Sequence, residues 1–328
     1  MSGCKSPADS PFRQKRGSSG LLRFQPQKIL VVLLLLSLGC ALGCSNLRDP
    51  PASVPGQRAF TDEAGRLVHV PPRIERLVSL APNLTETVYA IGAGQRLVGN
   101  TTYCDYPEEA KHVAKVGDTL QPSVERILAL RPQLILISTA SQLEAFTQQL
   151  NDQNISVYVT DPRDLEGVYR SILNLGQLLN QEKEAMALTA TLRLRTEAVE
   201  RAVANRQPVK LFYQLSAEPL YTAGRDAFVT DIIRRAGGKS VTAEVPGAWP
   251  KYSAESALAS QAEAIILPTG GSMGEANAAV AGPLRLSPAF TNGKIYKIND
   301  DHLTRPGPRA VEGLEALARA LHPEAFNK

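Results

Sequence analysis

From about residue 68 onward, short runs of consecutive apolar residues alternate with stretches in which apolar positions recur at helical spacing. RLVSLA (76–81) has the density of a buried strand, and TETVYAIGAG (85–94) follows as a short helix closed by glycine. LILIST (134–139) and SVYVT (156–160) are rich in β-formers, and each is preceded by a helical pattern. After Gln207-Pro208 the scheme restarts with KLFYQL (210–215), AIILPT (264–269) and KIYKIN (294–299). Strands that alternate with helices predict an α/β protein with mostly parallel central sheets.

Part of the first half returns in the second at a constant offset of 130 residues. Ser123-Val124-Glu125-Arg126-Ile127-Leu128-Ala129 realigns with Ser253-Ala254-Glu255-Ser256-Ala257-Leu258-Ala259, and Leu134-Ile135-Leu136 with Ala264-Ile265-Ile266. Each copy puts a serine at the N-cap and a glutamate in the first helical turn, where it answers the dipole. The repeat predicts two similar α/β lobes, over residues 68–163 and 206–328, with a ligand cleft between them. Residues 164–205 contain no proline and are rich in Leu, Ala, Glu and Arg. They are expected to form a long rigid interdomain helix with a break near Gly176 and Asn180. At about 1.5 Å per residue, 25 helical residues would reach almost 40 Å.

The N-terminal stretch departs from this pattern. Scattered bases (Lys5, Arg13, Lys15, Arg16, Arg23, Lys28) precede ILVVLLLLSL (29–38). Counted through Gly43, the apolar run falls short of the ~20 residues that cross a bilayer as a helix. A basic region and a short apolar core are the grammar of a secretory signal. SLGCALGCS then places small residues before Cys40 and Cys44 and resembles the lipobox of bacterial lipoproteins. Cys44 is favoured as the lipidated residue, because Ser45 and Asn46 begin a polar tether. Residues 1–44 are thus expected as a lipoprotein signal peptide and 45–67 as a tether, anchoring a periplasmic or cell-surface protein to its membrane. A plain signal peptide or an uncleaved anchor is the alternative.

Removing the leader changes the electrostatic picture. The chain carries 36 basic and 32 acidic residues, and six of those bases but one acid lie within residues 1–44. The remainder has a net charge of −1, which takes away the footing for nucleic-acid binding. Cys104 is the single cysteine after the leader, so neither an internal disulfide nor a C-x-x-C site is available.

The segments ERLVSLAPNLTETVYAIGAGQRLVGNTTYCDYPEEA (75–110), VGDTLQPSVERILALRPQLILI (116–137), AWPKYSAE (248–255) and DDHLTRPGPR (300–309) resemble the periplasmic binding proteins for cobalamin, iron-siderophores and haem. The likeness covers roughly residues 68–322 and is strongest to the branch that binds vitamin B12, on Tyr103-Cys104-Asp105-Tyr106-Pro107 and Trp249-Pro250. It implies a monomeric, non-enzymatic protein without a resident cofactor, which carries a corrinoid to an ABC permease and its ATPase subunits. A flat macrocycle fringed with amides needs aromatic faces and a few polar groups at its rim. Trp249 and Tyr103, one per lobe, are candidates for the faces, although a core tryptophan and a loop-anchoring tyrosine are the plainer readings. Asp301, Arg305, Asn83, Gln214 and Thr119 are candidates for the rim, and Arg305 has the alternative of capping the last helix. His302 is weighed as an axial ligand to the cargo's cobalt against the commoner solvated loop histidine.

The segment Gly117-Asp118-Thr119-Leu120 lacks the aromatic of B12 relatives, and Asp118 and Thr119 follow the glycine where haem binders often carry an iron-ligating tyrosine. Ferric siderophores therefore stand as the alternative cargo, ahead of haem. The resemblance also assigns Glu125 and Glu255 to docking on permease arginines, with helix-start carboxylates as the plain reading. Gly270-Gly271-Ser272-Met273-Gly274 satisfies G-x-S-x-G after a strand, as in a serine esterase. The contiguous Asp300, Asp301 and His302 form a poor acid–histidine pair for it, so an esterase is a remote alternative.

Overall fold

The computed structural model describes residues 56–138, 150, 155–270 and 279–327. The signal peptide, Cys40, Cys44 and positions 271–274 of the G-x-S-x-G motif lie outside the described residues.

A four-stranded parallel sheet forms the N-terminal lobe from β3 (Leu77–Ser79), β4 (Leu97–Asn100), β5 (Leu134–Ser138) and β6 (Ser156–Thr160), in the order β4-β3-β5-β6. The C-terminal lobe repeats that order as β9 (Gly238–Ser240), β7 (Val209–Ala217), β10 (Ala264–Thr269) and β11 (Ile295–Asn299), again parallel. A short β8 (Leu220–Thr222) folds back antiparallel on the far end of β7. Every residue of β3 and β5 is buried, as expected of parallel strands covered on both faces.

Preceding the first sheet, β1 (Arg58–Thr61) and β2 (Leu67–Val70) form an antiparallel hairpin. Part of the expected tether is therefore folded. Asp62 at the hairpin turn is buried, pairs with Arg66 and accepts from the Val159 backbone N–H. Glu63 Oε2 accepts from the Asp161 N–H at 2.7 Å. These polar residues, unreadable as a strand signal, fasten the hairpin to β6.

The 130-residue repeat survives as geometry. Helices α1 (Pro82–Ala90) and α2 (Val124–Ala129) belong to the first lobe. Ser123 caps α2 by accepting from Arg126 N–H at 3.3 Å, and Ser253 caps its counterpart Ala254–Ala259 from Ser256 N–H at 3.2 Å. Both helices unwind through left-handed residues at the same offset, Arg131 (φ 46°) and Gln261 (φ 52°).

Residues 164–205 are two helices, α3 (Leu165–Leu178) and α4 (Glu182–Val203), with Asn180 at φ 54° in the break. Asp164 caps α3 through the Gly167 N–H. Gly176 brings the pair together: a Cβ there would stand 2.4 Å from that of Ala185. The remaining α-helices among the described residues are α5 (Phe228–Arg235), α6 (Ala254–Ala259), α7 (Pro288–Thr291), α8 (Asp300–Thr304) and α9 (Ala310–Leu321).

Alternation along the strands sorts the core. Leu77, Leu134, Leu211 and Ile266 join α3, α4 and α9 in one apolar cluster that runs through both lobes. The opposite faces form separate clusters, Val78 and Ile135 with Ile127 of α2, and Phe212 and Ile265 with Ala257 of α6. The lobes thus share a continuous core at the connector and diverge towards α2 and α6. Among the described residues no helix is long and apolar enough to cross a membrane.

Candidate functional site

Opposing charges from both lobes meet where α8 and the loop after it approach α1. Arg305 Nη1 lies 3.2 Å from Glu86 Oε1 and 2.9 Å from Asp105 Oδ1, while Nη2 lies 2.8 Å from Asp301 Oδ1. Arg309 Nε donates to Glu86 Oε2 at 2.9 Å and Nη2 to Oε1 at 2.6 Å. Its guanidinium also covers the Tyr106 ring, 4.1 Å from the centroid. Burial works against the charge on both arginines, but the surrounding carboxylates outweigh it and raise both above the ordinary value. Both arginines therefore stay charged, and the cluster ties the lobes across the seam. Beside it, Asn83 Nδ2 donates to the Pro306 carbonyl at 3.2 Å.

The N-terminal wall is the loop that follows β4. Lys115 Nζ reaches Asn100 Oδ1, the Cys104 carbonyl and the Ala110 carbonyl at 2.8, 2.9 and 3.1 Å. Buried Cys104 Sγ accepts from Thr85 Oγ1 at 3.1 Å, so Cys104 anchors this loop. Its outward residue is Tyr103, 46% exposed, whose carbonyl faces Arg305 Nη2 at 3.5 Å. A cavity of about 530 Å³ opens next to the cluster, lined by Glu86, Tyr89, Tyr106, Pro107 and Glu109 among others.

On the C-terminal side Trp249 is 37% exposed and its ring packs 6.1 Å from that of buried Tyr213. It is a surface loop residue rather than a core tryptophan. Gly224 makes this loop possible: a Cβ there would stand 2.2 Å from the Gly247 carbonyl oxygen, and Gly224 N–H donates to Ala248 O at 2.9 Å. Gly247 turns the chain at φ 91°.

Several expected rim residues are already committed. Gln214 is wholly buried, donating to Ala279 O at 2.8 Å and accepting from Ala281 N–H at 2.9 Å. It staples β7 to the 279–281 segment with both its amide nitrogen and its amide oxygen engaged. Arg305 spends its guanidinium on three carboxylates rather than on the C-terminal helix. His302 Nε2 lies 3.3 Å from Arg309 Nη1 and 3.6 Å from Glu312 Oε2, facing α9. Burial is the main cause that lowers its pKa. Thr119 lies half-buried in a turn that Asp118 Oδ1 closes by accepting from Leu120 and Gln121 N–H.

Asn83, Tyr103, Asp301 and Arg305 thus come together, with Trp249 on its own loop of the second lobe. Glu125 and Glu255 are both exposed in the first turns of α2 and α6, away from the seam cluster. Ser253 Oγ donates to Glu255 at 2.7 Å, and that bond is the first cause holding its carboxyl below the ordinary value. Glu86, Asp105, Arg309 and Lys115 were not singled out from sequence. A glutamate within the all-buried run Asn83–Val88 was the available signal.

Two lobes of one topology, each sending loops to a shared seam, match a single family model over residues 77–301, that of the periplasmic binding proteins. The chain is a periplasmic binding protein. It is 30% identical over 308 residues to the uncharacterized ABC transporter substrate-binding lipoprotein YvrC of Bacillus subtilis strain 168, covering 90% of this chain and 97% of that one. The vitamin B12-binding protein of Vibrio cholerae is 28% identical over 247 residues, 75% of this chain and 89% of the relative. Among solved structures, the periplasmic vitamin B12 binding protein BtuF of Vibrio cholerae superposes with a TM-score of 0.68 at 26% identity, covering 78% of this chain and 99% of that one. The periplasmic haem-binding protein BhuT with two haems gives 0.67 at 25%, covering 75% and 98%. The periplasmic binding protein is thus a substrate-binding component of the B12, siderophore and haem group, whose members work outside the cytoplasm with ABC transporters and are not enzymes.

Proposed function

We propose that this periplasmic binding protein captures a corrinoid such as cobalamin between its lobes and delivers it to the permease of an ABC importer. Lipidation at Cys44 would hold it at the membrane and keep the search for the permease two-dimensional. The observation that carries the reading is the placement of two exposed rings, Tyr103 and Trp249, on stiff loops of opposite lobes. Such rings give a flat, amide-fringed macrocycle large contact area at little rotameric cost. Asp301 and Arg305 lie at the seam as polar partners for its rim, and rim groups that reach Arg305 must displace one of its present carboxylates. The names of the B12-binding relatives support the same cargo.

Calorimetry of residues 45–328 with cyanocobalamin, haemin and a ferric hydroxamate siderophore tests it. Saturable one-to-one binding of the corrinoid is expected. Saturation by haemin or the siderophore alone would replace it with the second reading, an iron carrier, which the likeness to haem-binding BhuT favours.

A further inference from the structure

The cavity of about 530 Å³ beside the seam cluster has a lining of one consistent chemistry. Two tyrosines, Tyr89 and Tyr106, and two carboxylates, Glu86 and Glu109, line it, and among the described residues no lysine, arginine or histidine does. Neither Tyr103 nor Trp249 borders it, so it is separate from the rings assigned to the cargo. Its volume falls within the ~300–1,000 Å³ of small-molecule sites. One half of this constellation already shows what such a lining binds. The Arg309 guanidinium lies 4.1 Å from the Tyr106 ring centroid and meets both Glu86 oxygens, at 2.9 and 2.6 Å. Tyr89 and Glu109 bring the same two ingredients, a ring and a carboxylate, to the same cavity.

We propose that this cavity is a binding site for a small organic cation, whose guanidinium or ammonium group rests on the Tyr89 ring and pairs with Glu109. A cation over a tyrosine face is attracted by the ring quadrupole, and more strongly where water is excluded. Glu109 is exposed, and Lys111, two residues on, is spent on Glu108 at 2.7 Å. The seat of the Tyr89 ring depends on a glycine, since a Cβ at Gly94 would stand 2.2 Å from Tyr89 Cδ1. Any larger residue there would displace the ring from its place in the wall.

The neighbouring charges favour a cation, and the donor set selects an organic one. At the Glu86 wall three carboxylates, Glu86, Asp105 and Asp301, answer the two guanidinium groups of Arg305 and Arg309. That side therefore adds no net positive charge to repel a cationic ligand. A calcium-type ion takes several oxygen ligands at once, and among the described residues no group of three His, Cys, Asp or Glu could hold a metal ion. A ring beside a single uncommitted carboxylate suits instead a diffuse, weakly hydrated charge such as a guanidinium.

Agmatine, which carries one guanidinium and one ammonium group, is a suitable probe, and titrating it into the cargo-free protein by NMR makes the test independent of the cargo. Saturable one-to-one binding in the millimolar range or tighter is expected, with neutral N-butylurea failing to saturate. Glu109→Gln should weaken agmatine binding at least tenfold and Tyr89→Leu at least threefold. Glu197→Gln, which removes an exposed charge on α4, should leave it unchanged. Lack of saturation by agmatine, saturation by N-butylurea, or unchanged affinity in Glu109→Gln or Tyr89→Leu would overturn the proposal. So would an equal loss in Glu197→Gln, which would mark diffuse attraction to surface acids. Should Tyr89→Leu fail to fold, the nuclear Overhauser effect between agmatine methylenes and the Tyr89 ring protons of the wild type decides. Its presence supports the site and its absence at saturation rejects it.

Discussion

Glu86 is almost wholly buried in the first turns of α1, yet two arginines of the other lobe engage both of its oxygens. Removing its charge would take from Arg309 its two-point partner and from Arg305 one carboxylate of three, and breaking a buried ion pair from one side costs about 3–5 kcal/mol. Glu86→Gln is therefore expected to lower the urea midpoint markedly, whereas Lys111→Ala, at an exposed pair with Glu108, should shift it little. Asp300 works in the opposite direction. Its folded-state pKa of about 6 exceeds the ordinary 3.8, so the folded protein holds this proton more tightly than the unfolded chain. The resulting stability is fully present below about pH 4 and is lost as pH rises through 6. It amounts to about 3 kcal/mol at most. Asp300→Asn should consequently melt higher than the wild type at pH 7.5, with the difference shrinking towards pH 4. Thermal melts at both pH values check this.

Loops and helices show what the sequence could and could not reveal. Capped helices and strands of the repeat were legible because serine caps and apolar runs act locally, and the 130-residue offset compared them directly. The backbone partners of Gln214 were not legible because a glutamine at a strand end serves a ligand or a neighbouring backbone equally well, and the 279–281 segment is 65 residues or more away. Glu86 escaped because the period of a short helix does not tell which face meets another lobe. Trp249-Pro250 stood out in the sequence, but the support of its loop at Gly224 did not. At that position a methyl group would meet backbone carbonyl oxygens of Gly247 and Val245 at 2.2 and 2.7 Å, atoms that cannot rotate away. Gly224→Ala should push this loop outward. A red-shifted Trp249 emission and at least a tenfold loss of corrinoid affinity are expected, with the N-terminal loop around Tyr103 unaffected.

At the scale of the whole molecule, the shared core along α3, α4 and α9 limits how far the lobes can move, and the charged seam adds a second tie. A protein built this way presents α2 and α6 as fixed points on its two halves rather than as ends of a wide hinge. Glu125 and Glu255 ride exposed on those points in equivalent places, because the repeat sets each two residues after a capping serine. Paired acids in equivalent places suit a two-fold permease that offers a basic residue to each. Exposed ion pairs contribute only about 0–1 kcal/mol apiece, so their effect falls on encounter and register more than on grip. Charge reversal at both positions, Glu125→Lys with Glu255→Lys, should slow association with permease-containing vesicles at least tenfold at low salt. Raising the salt should narrow that gap, since screening weakens attraction and repulsion alike. Calorimetry should find cargo affinity unchanged, because neither glutamate touches the seam cluster. Surface plasmon resonance at two ionic strengths measures both effects, and equal association rates for the variant and the wild type would remove the docking role.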